Sequence, residues 1–284
     1  MIAQNFEYTA PRTIDEAMSL LASGAKPLAG GMSLIPMMKL RLAAPEHLVD
    51  LARIKDLNYI RQEGGHLHIG ATATHHAIET SALLKAKCPL LAETAGWIGD
   101  NQVRNQGTIG GSIAHADPSA DYPAALQALE ASIVIKGPKS ERTVNAHDFF
   151  LEAFTTALDA GELIREIIVP VESAGTGVSY HKLQHPASGF AMVGVAVRVR
   201  RSGGKISLAR VGVTGLSNCS FSAVGAQDAL ENSAATAADV QRAASLVAFG
   251  IDANSDLQAS ADYRKHLTGV YAARAINAAL AKIA

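Results

Sequence analysis

Two glycine-centred segments have the residue types to hold an anion. Leu28-Ala29-Gly30-Gly31-Met32-Ser33 lies between a short apolar strand and a helix expected from about Leu34. Paired glycines let the backbone turn sharply and aim successive N–H groups at one point, and Ser33 adds a hydroxyl. Asn105-Gln106-Gly107-Thr108-Ile109-Gly110-Gly111-Ser112 repeats the pattern, again beside small hydroxyl residues. Either segment alone reads equally well as a plain turn. Taken together, with Gly30 and Gly110 80 positions apart, they suggest one ligand whose two phosphates are gripped from two places. The second segment runs on through Asp117 to Asp121. A carboxylate shortly after a phosphate loop can accept hydrogen bonds from a ribose-type diol.

Other chemistries are disfavoured. Neither segment fits GxGxxG or the Gly-Lys-Ser/Thr of a P-loop. Cys88 and Cys219 lie 131 positions apart, form no CxxC pair and are too few for an iron–sulfur cluster. Redox chemistry here must therefore use a bound organic cofactor or a partner's metal. His66/His68 and His75/His76 lack converging further ligands, so no metal site is expected. Lys and Arg number 25 against 26 Asp and Glu, without a basic stripe, so no nucleic-acid partner is expected. No apolar run is long enough to span a membrane. The start, Met1 to Glu7, has neither a basic nor an apolar leader region, so a cytoplasmic protein without a signal peptide is expected.

The elements that must position these loops fall into three stretches. A hydrophobic content of 48% in 284 residues is enough for large cores and excludes disorder. Residues 1–55 read as a small βαβ-type unit, with Thr13 and Glu16 capping a helix over 14–22. Residues 56–174 open on a hairpin about Gly64-Gly65. Helices at about 75–87 and 89–99, a glycine turn at 107–111, a helix from Tyr122 to Leu129 and strands at 131–136 and 164–169 follow. Residues 175–284 hold a hairpin about Gly203-Gly204 and then Ala-rich helices near 221–231, 236–249 and 261–283. Separated helical and strand segments argue for an α+β fold.

The two loops in context carry a specific resemblance. Ala29-Gly30-Gly31-Met32-Ser33-Leu34-Ile35-Pro36-Met37-Met38-Lys39-Leu40-Arg41-Leu42, followed by Pro45-Glu46-His47-Leu48-Val49-Asp50, resembles the flavin subunit of molybdenum hydroxylases. So does Val103-Arg104-Asn105-Gln106-Gly107-Thr108-Ile109-Gly110-Gly111-Ser112-Ile113-Ala114 through Asp117-Pro118 to Asp121. The likeness runs along nearly the whole chain. It is similar to the medium subunits of carbon monoxide dehydrogenase and its aldehyde and N-heterocycle relatives. At Lys182-Leu183-Gln184-His185-Pro186 the chain departs from the basic Lys-Leu-Lys-Arg-Lys of the carbon monoxide enzymes and looks more like the other medium subunits.

The resemblance implies a p-cresol methylhydroxylase-type fold, with FAD between two N-terminal subdomains (1–55 and 56–174) and a C-terminal antiparallel sheet with helices (175–284). By the same resemblance, the segment from Leu28 through Ala29, Gly30, Gly31 and Met32 to Ser33 holds the pyrophosphate, with Thr108, Ile109, Gly110, Gly111 and Ser112. Asp121 binds ribose or ribityl hydroxyls, with Asp117 the second candidate. Ile98 lies near the adenine end, Ile164 packs near the isoalloxazine, Lys182 meets the flavin's polar edge and Phe190 its face. Arg104 and Asn105 are candidate contacts with a partner. The implied partners are a large subunit carrying molybdenum-pterin and a small subunit carrying two [2Fe-2S] clusters, in a dimer of heterotrimers. FAD on this chain would take electrons from the small subunit and pass them to an external acceptor. The alternative is a self-sufficient reductase of the same fold, similar to enolpyruvylglucosamine reductase.

Overall fold

A computed structural model describes residues 2–283; Met1 and Ala284, the outer limits of the first and third expected stretches, lie outside the described residues. The first stretch forms strands β1 (Glu7–Thr9), β2 (Lys26–Leu28) and β3 (His47–Asp50) with helices α1 (Ile14–Ala22) and α2 (Leu34–Lys39). The sheet order is β1-β3-β2 and both pairs are parallel. Thr13 Oγ1 accepts the Glu16 N–H at 3.2 Å, and the Glu16 carboxylate accepts the Arg12 N–H at 2.9 Å. The helix then buries Ala17, Met18 and Leu21 against Val49, Leu51 and Ile54.

The second stretch holds strands β4 (Ile60–Glu63) and β5 (His66–Gly70), then helices α3 (His75–Thr80), α4 (Ala82–Lys87), α5 (Pro89–Gly96), α6 (Asn101–Gln106), α7 (Ile109–His115) and α8 (Asp121–Ala128). Strands β6 (Ser132–Lys136) and β7 (Glu141–Asn145), helix α9 (Ala146–Phe149), the small pair β8 (Phe150–Glu152) and β9 (Thr155–Thr156), and β10 (Leu163–Pro170) complete it. The five-stranded sheet runs β4-β5-β10-β6-β7, antiparallel throughout. Its inner residues Leu67, Ile69, Ile133, Ile135 and Ile167 meet helical Ile78, Leu90, Leu91 and Leu126 in one core.

In the third stretch, β11 (Thr176–Gln184), β12 (Ala191–Ser202), β13 (Lys205–Thr214) and β14 (Phe221–Ser222) make an antiparallel sheet in chain order. Helices α10 (Val224–Leu230), α11 (Ala237–Leu246) and α12 (Ala261–Ala281) cover it. Alternate valines 193, 195, 197 and 199 of β12 pack with Ala272, Ala275 and Ile276 of α12, as the two-residue strand period dictates. Among the described residues no helix is long and apolar enough to cross a membrane.

Three expectations change locally. The helix expected over 75–87 breaks at Ser81, whose Oγ accepts the Leu84 N–H at 3.2 Å and starts α4. The glycine turn expected at 107–111 becomes the first turn of α7, because Thr108 Oγ1 caps the Gly111 N–H at 3.1 Å. The helix expected from 221 starts only at Val224, because Phe221–Ser222 pair with Val213 and Gly212 as β14.

Candidate functional site

The two glycine loops meet. A Cβ on Gly30 would overlap the carbonyl oxygen of Gln106, and one on Gly111 would stand 3.6 Å from the Ala29 Cβ. At Gly30 only glycine permits that approach of two backbones. Gly31 adopts φ +71°, which bends the chain away from Leu28 into α2. Among the described residues, the N–H groups of Gly30, Gly31, Met32 and Ser33 find no acceptor in the chain, and the Ser33 hydroxyl caps nothing. Backbone N–H groups are obligatory donors, so this first loop has the donor set of an anion cradle.

The second loop contributes differently from what its residue types suggest. Ile109 N–H donates to Ala73 O at 3.1 Å, Gly110 N–H to Ala71 O at 2.8 Å, and Gly111 N–H to Thr108 Oγ1. These donors are spent inside the fold. Ile109 and Thr108 are buried, and a Cβ on Gly110 would lie 2.6 Å from Ala71. What remains for a ligand is the half-buried Ser112, whose hydroxyl makes no bond among the described residues.

Asp121 and Lys182, expected as two separate contacts, are joined. Lys182 Nζ lies 2.9 Å from Asp121 Oδ1 and donates to Gly189 O at 2.8 Å. Tyr180 OH donates to Asp121 Oδ1 at 2.6 Å. Burial pushes the Asp121 carboxyl upward, while Lys182 and Tyr180 oppose the shift; burial and Asp121 drive the Tyr180 phenol well above its ordinary range. Lys182 Nζ thus faces three acceptor oxygens, the two of Asp121 and Gly189 O, and its side chain is fully buried. Asp117 is the carboxylate with an open oxygen: its Oδ1 accepts the Ser119 N–H at 2.8 Å, and the residue is half-buried.

Ile98 lies in the turn after α5, and Gly99 of that turn is 3.7 Å from where a Gly189 Cβ would stand. The turn therefore abuts the β11–β12 connection that carries Phe190, rather than lying remote from it. Phe190 and Trp97 are both exposed here. Ile164 sits at a register shift of β10 and is buried in the second core, so its side chain faces other core residues.

Three residues of the site were not picked out by type and spacing, or were given another role. Tyr180 is two positions before Lys182 on one strand, so strand alternation places both on one face. His75 is buried; its Nδ1 lies 3.2 Å from Tyr122 OH and its Nε2 2.5 Å from where a Gly107 Cβ would stand. Burial first, and then the Arg104 charge, lower its pKa from 6.5 to about 4. Arg104, expected to face a partner, turns inward: Nη1 donates to Ile98 O at 3.1 Å and Gly99 O at 3.2 Å, and Nη2 to Asn101 Oδ1 at 2.6 Å. Asn105 stays exposed, with its amide on Asn101 O at 2.7 Å.

A parallel three-stranded unit, a helix-covered antiparallel sheet and paired glycine loops at their junction accompany family matches that make this an FAD-binding oxidoreductase subunit. The chain belongs to the family of medium FAD subunits of the molybdenum hydroxylases. Residues 4–172 match the FAD binding domain in molybdopterin dehydrogenase, and residues 178–279 the CO dehydrogenase flavoprotein C-terminal domain. The chain is 44% identical to the carbon monoxide dehydrogenase medium chain of Hydrogenophaga pseudoflava over 287 residues, covering 100% of both. A solved structure of carbon monoxide dehydrogenase from that organism superposes with a TM-score of 0.97 at 45% identity, covering 100% of each chain. Quinoline 2-oxidoreductase from Pseudomonas putida gives a TM-score of 0.94 at 30% identity, covering 99% of each chain.

Proposed function

We propose that this chain is the electron-transfer subunit of a cytoplasmic heterotrimeric molybdenum hydroxylase. Its FAD takes electrons from a small [2Fe-2S] subunit and hands them to an external acceptor, while substrate reacts at molybdenum on a large subunit; two heterotrimers pair. The observation that carries the reading is the set of unpartnered N–H groups at Gly30 to Ser33, set against the second glycine loop. Family membership supports it.

The residues fit FAD. The N–H groups of the first loop, with the hydroxyls of Ser33 and Ser112, hold the pyrophosphate by donation alone, without a cation. Asp117 accepts from a sugar or ribityl diol through its open oxygen. Phe190 flanks the ring system, and because the Ile98 turn lies beside the one carrying Phe190, we assign Ile98 to the isoalloxazine end in place of the adenine end. Lys182, fully buried and held by Asp121 and Gly189 O, favours negative charge at the polar edge of the ring through its field. When bound, the flavin links one-electron donors to a two-electron acceptor.

Purification of the native complex through a tag on this chain tests the proposal. Three subunit bands with FAD, iron and molybdenum are expected. A single flavin-containing band without metals, oxidising NADPH with an enolpyruvyl sugar, would overturn it in favour of a self-sufficient reductase.

A further inference from the structure

We infer that Arg104 is a positioning residue that sets the slot for the flavin ring, by locking the Trp97–Gly99 turn to the helix that leads into the second glycine loop. The inference rests on the FAD reading above. Arg104 lies in α6, three residues before Gly107. Its Nη1 bridges the carbonyls of Ile98 and Gly99, and its Nη2 holds Asn101. The Nε lies 2.9 Å from Glu79 Oε2, an ionic contact rather than an aligned hydrogen bond. Glu79 belongs to α3, and α3 touches the same loop from the other side, where His75 N–H donates to Gly107 O at 2.9 Å. One guanidinium thus ties together the 97–99 turn, α6 and α3.

The turn matters because of what it touches. Gly99 has φ +49°, and a Cβ there would meet Val103 Cβ at 2.8 Å, so the turn is tucked onto α6. Its other side lies beside Gly189, next to Phe190: a Cβ on Gly189 would stand 3.7 Å from the Gly99 Cα. Moving the turn therefore changes its spacing to the connection that carries Phe190, while the first loop packs on Gln106 and Gly107 instead. A planar guanidinium can serve two neighbouring carbonyls and a carboxylate at once; the compact ammonium of lysine lacks that fork. Loss of the fork leaves two carbonyls without their charged donor and frees the turn to drift.

The ring half and the phosphate half of the ligand can be read separately. The full chain, freed of flavin, is titrated with FAD and, separately, with ADP, which keeps the adenosine and pyrophosphate but lacks the ring. Arg104→Ala is expected to weaken FAD about tenfold, to raise the fluorescence of the bound flavin, and to leave ADP unchanged. Arg104→Lys is expected to recover less than half of the loss, and Asn105→Ala to behave as wild type. Unchanged FAD affinity and flavin fluorescence in Arg104→Ala overturns the inference, as does an equal loss for FAD and ADP, the mark of a merely structural role. If Arg104→Ala does not fold by circular dichroism, Arg104→Lys and Glu79→Gln decide: a wild-type ratio of FAD to ADP affinity in both overturns it. A wild-type chain that binds no FAD removes the underlying reading, whereas FAD binding that ignores Arg104 removes only this inference.

Discussion

Asp121, at the start of α8, and Lys182, in β11, form an ion pair of 2.9 Å with almost no exposure to solvent. The pair joins the second and third stretches, and Tyr180 completes it with a 2.6 Å bond to the same carboxylate oxygen. Removing one member of a buried pair costs about 3–5 kcal/mol, because the other is left uncompensated. Lys182→Met is therefore expected to destabilise the chain by about that amount, and Lys182→Met combined with Asp121→Asn by clearly less. Urea denaturation of the four variants of the cycle measures this; additive losses would show that the two groups do not act as a pair. In redox titrations, Lys182→Ala is expected to lower the flavin potential, and an unchanged potential would separate Lys182 from the ring.

His75 makes stability depend on pH in a defined direction. The folded imidazole is held neutral down to about pH 4, while the unfolded one takes up a proton near 6.5. The unfolded state therefore binds more protons between those values, and stability falls as pH drops through that window. The loss is on the order of 3 kcal/mol at full extent. Equilibrium unfolding of the wild type and His75→Asn between pH 7 and about pH 4 checks it: the slope is expected to be smaller in the variant, and equal slopes would place the dependence elsewhere.

Gly30→Ala is expected to abolish FAD retention. The new methyl would overlap the Gln106 carbonyl, a backbone atom that cannot rotate away, so the two loops must separate. Overpacking of this kind costs about 1–3 kcal/mol. Gly225→Ala, inside α10, meets only Leu246 Cβ at 3.8 Å. It is expected to keep its flavin and, at the second position of the helix, to change stability by no more than about 0.5 kcal/mol. Visible flavin absorbance after gel filtration, with thermal melts, compares the two variants.

The cysteines should respond unequally to alkylation. Burial pushes the Cys88 thiol up to about 12, and Cys219 is raised too but only half-buried. A maleimide is expected to label Cys219 slowly in the native chain and Cys88 only after unfolding. Mass spectrometry of the labelled peptides reads the order; native labelling of Cys88 would show that the second core opens.

The chemistry-bearing segments could be read from residue order because their signals are local. Gly-Gly beside Ser or Thr marks a backbone able to turn and donate, the Thr13–Glu16 spacing marks a helix start, and Val-x-Val alternation marks a buried strand face. The fold class and the family followed from such signals together with a resemblance carried by two contiguous blocks. Tertiary structure alone decided which donors are free. The first loop keeps its N–H groups, whereas the second spends its own on Ala71, Ala73 and Thr108. Nothing in the run Thr108 to Ser112 states that residues 71–73 will lie beside it. Tertiary structure also paired Asp121 with Lys182, 61 positions apart, and turned Arg104 inward onto two carbonyls of a neighbouring turn. Those outcomes depend on which surfaces meet when separate elements bury their apolar faces, and one-dimensional spacing does not encode that meeting for polar groups carried along with them.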